Sequence, residues 1–262
     1  VKALAVSALA AVLGGAASDT AGDLRFIACP IYRDTDAGAK SGCWLVDDPA
    51  SGMRYDVSRA PSKPDWNAAV LVEGRPRGET ANPCGGIVLD PVRTSVLDQP
   101  CTRFVLAAEG YTGRKFALPK RNVRPLYEER KRPDRPFAAR TVMIPFDFGK
   151  SFIVYQLSDY YIDQAINYAL DVQPARVRVT GYAASTPSRV SGQAIAEPVG
   201  LAQQRADLVV EALVLRGVPR DRIAVATGAP SERDDEAFDG LRTASQRRVE
   251  VAIAPLAATA PR

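Results

Sequence analysis

The sequence predicts an α+β protein of two unlike parts: a small all-β unit braced by disulfides, then a unit of order βαβαββ whose mixed sheet carries its helices on one face. Three observations predict it. Short strand-like runs separated by turn residues fill residues 23–118, helical spacing is confined to residues 157–170 and 201–216, and all four cysteines lie in the first half. With 262 residues, 46% hydrophobic and 24% charged, the chain has the balance of an ordinary globular protein and enough apolar content for one large domain or two small ones.

Residue order justifies the elements of the first half. Runs at 25–27, 43–46, 69–72, 86–89 and 104–107 are rich in β-branched, aromatic and aliphatic residues. Between two of them, Asp47-Asp48-Pro49-Ala50-Ser51-Gly52 reads as a hairpin connection, because Pro and Gly supply the dihedrals of a reversing chain. Several short strands at close spacing suggest a small barrel, of the OB type for instance, or a sandwich. Ahead of them, Lys2 precedes an apolar stretch at 3–13 that is short of the roughly 20 residues a bilayer span needs, and small residues follow it. Residues 1–21 therefore read as a secretory signal peptide. No cysteine stands directly after the small residues, so a lipid anchor is not expected, nor a transmembrane segment in the mature chain. An export signal makes disulfides the expected state of Cys29, Cys43, Cys84 and Cys101, and two bridges among four cysteines allow three connectivities.

Residues 119–140 form a basic, proline-broken linker whose composition resists a core. Beyond it, 141–148 reads as a strand, and Ile162, Ile166 and Leu170, each four residues from the last, mark a helix. The alternation around Val177 and Val179 ends at Gly181. A second helix over 201–216 stops at Gly217 with Pro219 beyond, the asymmetry of a helix C-terminus. Runs at 223–226 and 249–253 complete the sheet, with the unit ending near residue 255 and a tail over 256–262.

What is missing narrows function. The chain contains no histidine, which removes Ser-His-Asp triads, Cys-His pairs, HExxH zinc sites and imidazole acid-base steps. No metal or other cofactor is expected, and no enzyme. A net charge of +4 falls short of a nucleic-acid binder's basic stripe. The acids Asp234, Asp235 and Glu236 share one loop, where such neighbours are usually solvated. One residue stands out. On the helical wheel Arg205 lies within the apolar stripe of Leu201, Ala202, Ala206, Val209, Ala212 and Leu213. A guanidinium cannot deprotonate in a protein and its desolvation is costly, so an acceptor must face it: a guest's carboxylate, or an acid of its own chain.

The second part of the chain resembles the C-terminal domain of outer-membrane protein A, shared with peptidoglycan-associated lipoproteins and flagellar stator proteins. The resemblance spans residues 141–253 and rests on Phe146-Asp147-Phe148, Gly181-Tyr182, Leu201-Ala202-Gln203-Gln204-Arg205-Ala206 with Val209, Gly217-Val218, Arg222-Ile223 and Gln246-Arg247-Arg248-Val249-Glu250, in that order. It implies non-covalent binding of the peptidoglycan stem peptide, held at its zwitterionic end by one arginine and one aspartate. Arg205 matches the arginine and becomes the expected carboxylate clamp. Ala184 stands where the family has the aspartate, and Pro198 where it has an asparagine. Loss of a charged hydrogen bond weakens binding about 10- to 150-fold. Ser185 and Thr186 are neutral substitutes for the acid, and Arg247, which shares strand parity with Val249 and Val251, is a second candidate cation.

The expectation is a periplasmic envelope protein, associated with the outer membrane or the wall. Its OmpA-like domain would bind peptidoglycan weakly or with altered preference, and its β unit would meet an envelope protein partner. The alternative is a degenerate OmpA-like scaffold without wall binding.

Overall fold

The computed structural model describes residues 22–36, 42–78, 82–108, 110–114, 130–154 and 157–256. The signal-peptide reading at 1–21, residues 257–262 of the tail and the first half of the basic segment, 119–129, fall outside these residues.

The first half is one seven-stranded sheet built from β1 (Leu24–Ala28), β2 (Pro30–Arg33), β3 (Cys43–Asp47), β4 (Arg54–Asp56), β5 (Ala68–Pro76), β6 (Ile87–Pro100) and β7 (Phe104–Leu106). The spatial order is β1-β5-β6-β4-β3-β2-β7. Pairing is antiparallel except for β2 with β7 and β4 with β6. Of the barrel or sandwich expected, no closed barrel is seen among the described residues: β1 and β7 stand at opposite ends of this order, with no pairing between them. The turn predicted at 47–52 does join the antiparallel pair β3 and β4.

Strand β5 is buried without interruption from Ala69 to Gly74, the pattern of a strand covered on both faces. Val70 and Val72 face the core of the first half with Phe26, Val46, Tyr55, Val57, Leu89 and Val92. Ala69 and Leu71, of opposite parity, join Ile27 and a set of second-half residues, Phe148, Ala184 and Val190. An apolar seam thus joins the two halves. Disulfides connect Cys29 with Cys101 and Cys43 with Cys84, which selects one of the three connectivities left open by the sequence.

The second half runs β8 (Arg140–Pro145), α1 (Asp159–Asp171), β9 (Ala175–Gly181), β10 (Ser188–Val190), β11 (Gln193–Ile195), α2 (Leu201–Leu215), β12 (Ile223–Thr227) and β13 (Arg248–Pro255). Its mixed sheet has the order β12-β9-β13-β8, with β12 parallel to β9 and the other pairs antiparallel. Buried and exposed residues alternate along β9, and Val177, Val179, Val249, Val251 and Ile253 pack with Ile162, Ala165, Ile166, Val209 and Leu213 of the helices. Helix α2 closes as predicted: Gly217 has φ +99°, and the N–H of Val218 donates to the Leu213 carbonyl at 3.0 Å. No helix among the described residues is long and apolar enough to cross a membrane.

The hairpin of β10 and β11 escaped the sequence reading. It turns through Ser191 and Gly192, both at positive φ, the two-residue loop whose twist suits a hairpin. Ser191 also accepts a hydrogen bond from the N–H of Ile27 at 2.9 Å, so the hairpin covers the outer edge of β1. The described part of the basic segment is anchored to the second half rather than free. Arg130 forks onto Asp171 at the end of α1, and Phe137 packs against the second-half core.

Candidate functional site

Arg205 is fully buried on α2, and its acceptor is an acid of its own chain. Glu197 lies between β11 and α2, directly before Pro198, a position that favours extended backbone. The two side chains are both 0% exposed. Arg205 Nη1 donates to Glu197 Oε2 at 2.9 Å and Nη2 to Oε1 at 2.6 Å, the bidentate fork that a guanidinium offers a carboxylate. Its remaining N–H groups reach the carbonyls of Lys150 at 2.9 Å, Tyr182 at 3.0 Å and Asp147 at 3.0 Å. All five donors are used. The carboxylate is equally occupied: its oxygens also accept the backbone N–H of Gly149 and of Ala184, each at 2.7 Å. The Phe146 ring closes one side, with the guanidinium carbon 5.3 Å from its centroid.

The local sequence explains this closeness. Gly181 ends β9 against the start of α2, where an added Cβ would stand 1.9 Å from the Ala202 carbonyl oxygen. Only glycine lets the strand end approach the helix so closely, which brings the Tyr182 carbonyl within reach of Arg205.

The expectation of an open clamp at Arg205 is therefore corrected. A guanidinium whose donors are all satisfied internally has none to offer a guest. Ser185 is half-buried and Thr186 exposed, and neither is a partner of Arg205. Ala184 lies in the seam beside Ile27 and Leu71.

Arg247 is likewise closed off. Only 1% exposed, it pairs through Nη1 and Nη2 with Glu73 of β5, the first contact at 3.2 Å. The expected second cation near a pocket thus faces the first half of its own chain. Glu73 also accepts from Arg25 Nε at 3.2 Å. Burial alone would push the Glu73 carboxyl up, but Arg247 first, then Arg25 and Arg93, hold it below its ordinary value. Around this pair the halves exchange further bonds. Phe148 N–H donates to Ser95 Oγ at 2.9 Å, Arg25 Nη1 to Ser188 Oγ at 2.9 Å, and Arg93 to the Ala237 carbonyl.

Asp147 joins the two clusters: its carbonyl accepts from Arg205 while its carboxyl lies near Arg247 and Arg93. Burial pushes that carboxyl above its ordinary value, opposed first by a hydrogen bond from the Ser62 side chain and then by Arg247 and Arg93, while the Glu73 charge adds to the rise. A raised value in the folded protein means a stabilising contribution that is complete below the unfolded pKa and lost as pH rises through the folded one. Asp147→Asn should therefore be more stable than the native chain at neutral pH, with the difference shrinking as pH falls through the carboxylate range. Urea unfolding at several pH values checks this, and a less stable variant at neutral pH would contradict it.

Glu197 and Glu73 are the residues that sequence reasoning missed. Glu73 had a signal, since it ends an unbroken apolar run in β5, as a strand enclosed on both faces would. Glu197 had only its position before a proline. Of the acids of the 234–236 loop, Asp235 has a local structural role: it accepts from the N–H of Ala237 at 2.9 Å and caps a short 3-10 turn. Asp56 lies near the sulfurs of Cys43 and Cys84, but those sulfurs are bonded to each other and are not metal ligands in this state.

No family model matches the chain, and no curated protein matches it. Among solved structures it is similar to the OmpA-like domain of FopA1 from Francisella tularensis, at 20% identity over 47% of this chain and 77% of that one, with a TM-score of 0.34. It is also similar to the peptidoglycan-associated lipoprotein from Burkholderia pseudomallei, at 22% identity over 43% of this chain and 89% of that one, with a TM-score of 0.31. The periplasmic domain of Helicobacter pylori MotB is similar at 18% identity over 45% of this chain and 83% of that one, with a TM-score of 0.33.

Proposed function

We propose that this chain is a periplasmic envelope protein whose OmpA-like second half works as a rigid scaffold, holding the disulfide-braced sheet for an envelope protein partner, and does not clamp peptidoglycan. The observation that carries this reading is the Arg205–Glu197 pair. An arginine poised for a guest carboxylate would keep N–H groups free at a cleft, whereas in this chain all five are taken internally. The seam supports the same reading, because Ala184 and Arg247 are both covered by the first half. Two disulfides fit an oxidising compartment such as the periplasm. A chain without histidine whose buried acids face arginines and backbone donors fits a structural role better than catalysis.

Sedimentation with purified sacculi tests the proposal. The native chain should stay in the supernatant while a known wall-binding domain, run alongside, pellets. Saturable co-sedimentation of the native chain would overturn the scaffold reading and restore the wall-binding one. Because Ala184 is buried in the seam, the carboxylate of an Ala184→Asp variant would enter apolar surroundings rather than a ligand cleft.

A further inference from the structure

The two disulfides occupy different surroundings. Cys43 and Cys84 are both 0% exposed, and the buried carboxyl of Asp56 lies beside their sulfurs. A carboxylate there disfavours the negative thiolate that exchange requires, and burial excludes an attacking thiol. Cys29, by contrast, is exposed, in the single-residue link between β1 and β2. Its partner Cys101 follows directly on β6 and is half-buried against the seam, next to the cluster of Ile27, Leu71, Phe148 and Ala184.

Position in the sheet gives this bridge a mechanical role. β5 lies between β1 and β6, so the Cys29–Cys101 bond spans the strand that presents Ala69, Leu71 and Glu73 to the second half. Cys101 N–H also donates to the Asn67 carbonyl at 2.7 Å, just before β5 begins. The bond therefore clamps one end of the surface on which the second half sits.

We propose that Cys29–Cys101 is a thiol-exchange site that latches the two halves, open to a dithiol reductant in the folded protein while Cys43–Cys84 stays closed. A thiolate of the reductant attacks the sulfur of Cys29, forming a mixed disulfide and expelling Cys101 as a thiolate, which takes up a proton. The second thiol of the reductant then attacks the mixed disulfide and releases Cys29 as a thiol. The protein disulfide gains two electrons and two protons, and the reductant leaves as its own disulfide. Reduction frees the end of β6 from the end of β1 and loosens the seam. This site is independent of the scaffold reading, since it depends on where the bridge lies and not on what the second half binds.

The test treats the native full chain with increasing dithiothreitol, blocks free thiols by alkylation and locates the label by peptide mass spectrometry. Hydrogen exchange is followed at two amides bonded across the seam, Phe148 to Ser95 and Ile27 to Ser191. The expected result is label on Cys29 and Cys101 at reductant concentrations that leave Cys43 and Cys84 bonded, with exchange at both amides at least about tenfold faster. A Cys29→Ser/Cys101→Ser variant should show the faster exchange without reductant and no further change with it. Simultaneous reduction of both bridges, or earlier reduction of Cys43–Cys84, would overturn the exchange site. Selective reduction with unchanged exchange at Phe148 and Ile27 would overturn the latch.

Discussion

Replacing Glu197 with alanine is expected to lower the stability of the protein by about 3–5 kcal/mol, because it strands a buried guanidinium. Arg205 would keep its three carbonyl acceptors but lose the charge that balances it and two of its five hydrogen bonds. The N–H groups of Gly149 and Ala184 would lose their acceptor as well. Glu197→Gln should recover little, since the amide nitrogen would point donor to donor at Arg205 or at a backbone N–H. A double variant, Glu197→Leu with Arg205→Met, should come much closer to the native chain, as buried ion pairs often do when both members become apolar. Urea unfolding measures all three. If Glu197→Ala unfolds with the native midpoint, the pair does not hold the second half together.

Glu73→Ala should produce the second large effect, again about 3–5 kcal/mol, and it should appear between the halves rather than within one. Arg247 would be left buried with Nε already lacking a partner and the two terminal nitrogens newly without one. Arg25 would lose its carboxylate too. The native chain is expected to unfold in one transition and the variant in two, the first half separating before the second melts. A double-mutant cycle of Glu73→Ala and Arg247→Ala should give a coupling of roughly 0.5–3 kcal/mol, as for residues in direct contact. The pH dependence has a definite sign. Because the folded protein holds Glu73 below its ordinary value, the stabilisation is present above the unfolded pKa and is lost as pH falls through the lower folded one. A single transition in the variant at native denaturant strength would show that the seam does not depend on this pair.

Much of the architecture was legible because periodicity is local. The order of strands and helices in the second half follows from repeats of two and about four residues, and Gly217 with Pro219 marked the end of α2. The β10 and β11 strands, three residues each, are too short for a period to register, and their turn at Ser191 and Gly192 was the only available sign. The seven-stranded order of the first half was not readable either, since short strands with similar patterns fit several pairings and the barrel was one of them.

Residue spacing alone shows that a permanent cation sits in an apolar helix face and that some acceptor has to meet it. Tertiary structure decided which one. Glu197 lies eight residues away, beyond the start of the helix, so no helical spacing relates it to Arg205. Glu73 and Arg247 are separated by 174 positions, and only the packing of two sheets brings them together. Desolvation is the physical reason for the division: it demands a partner for every buried charge wherever the chain places one, but the identity of that partner depends on which surfaces come into contact when the halves close.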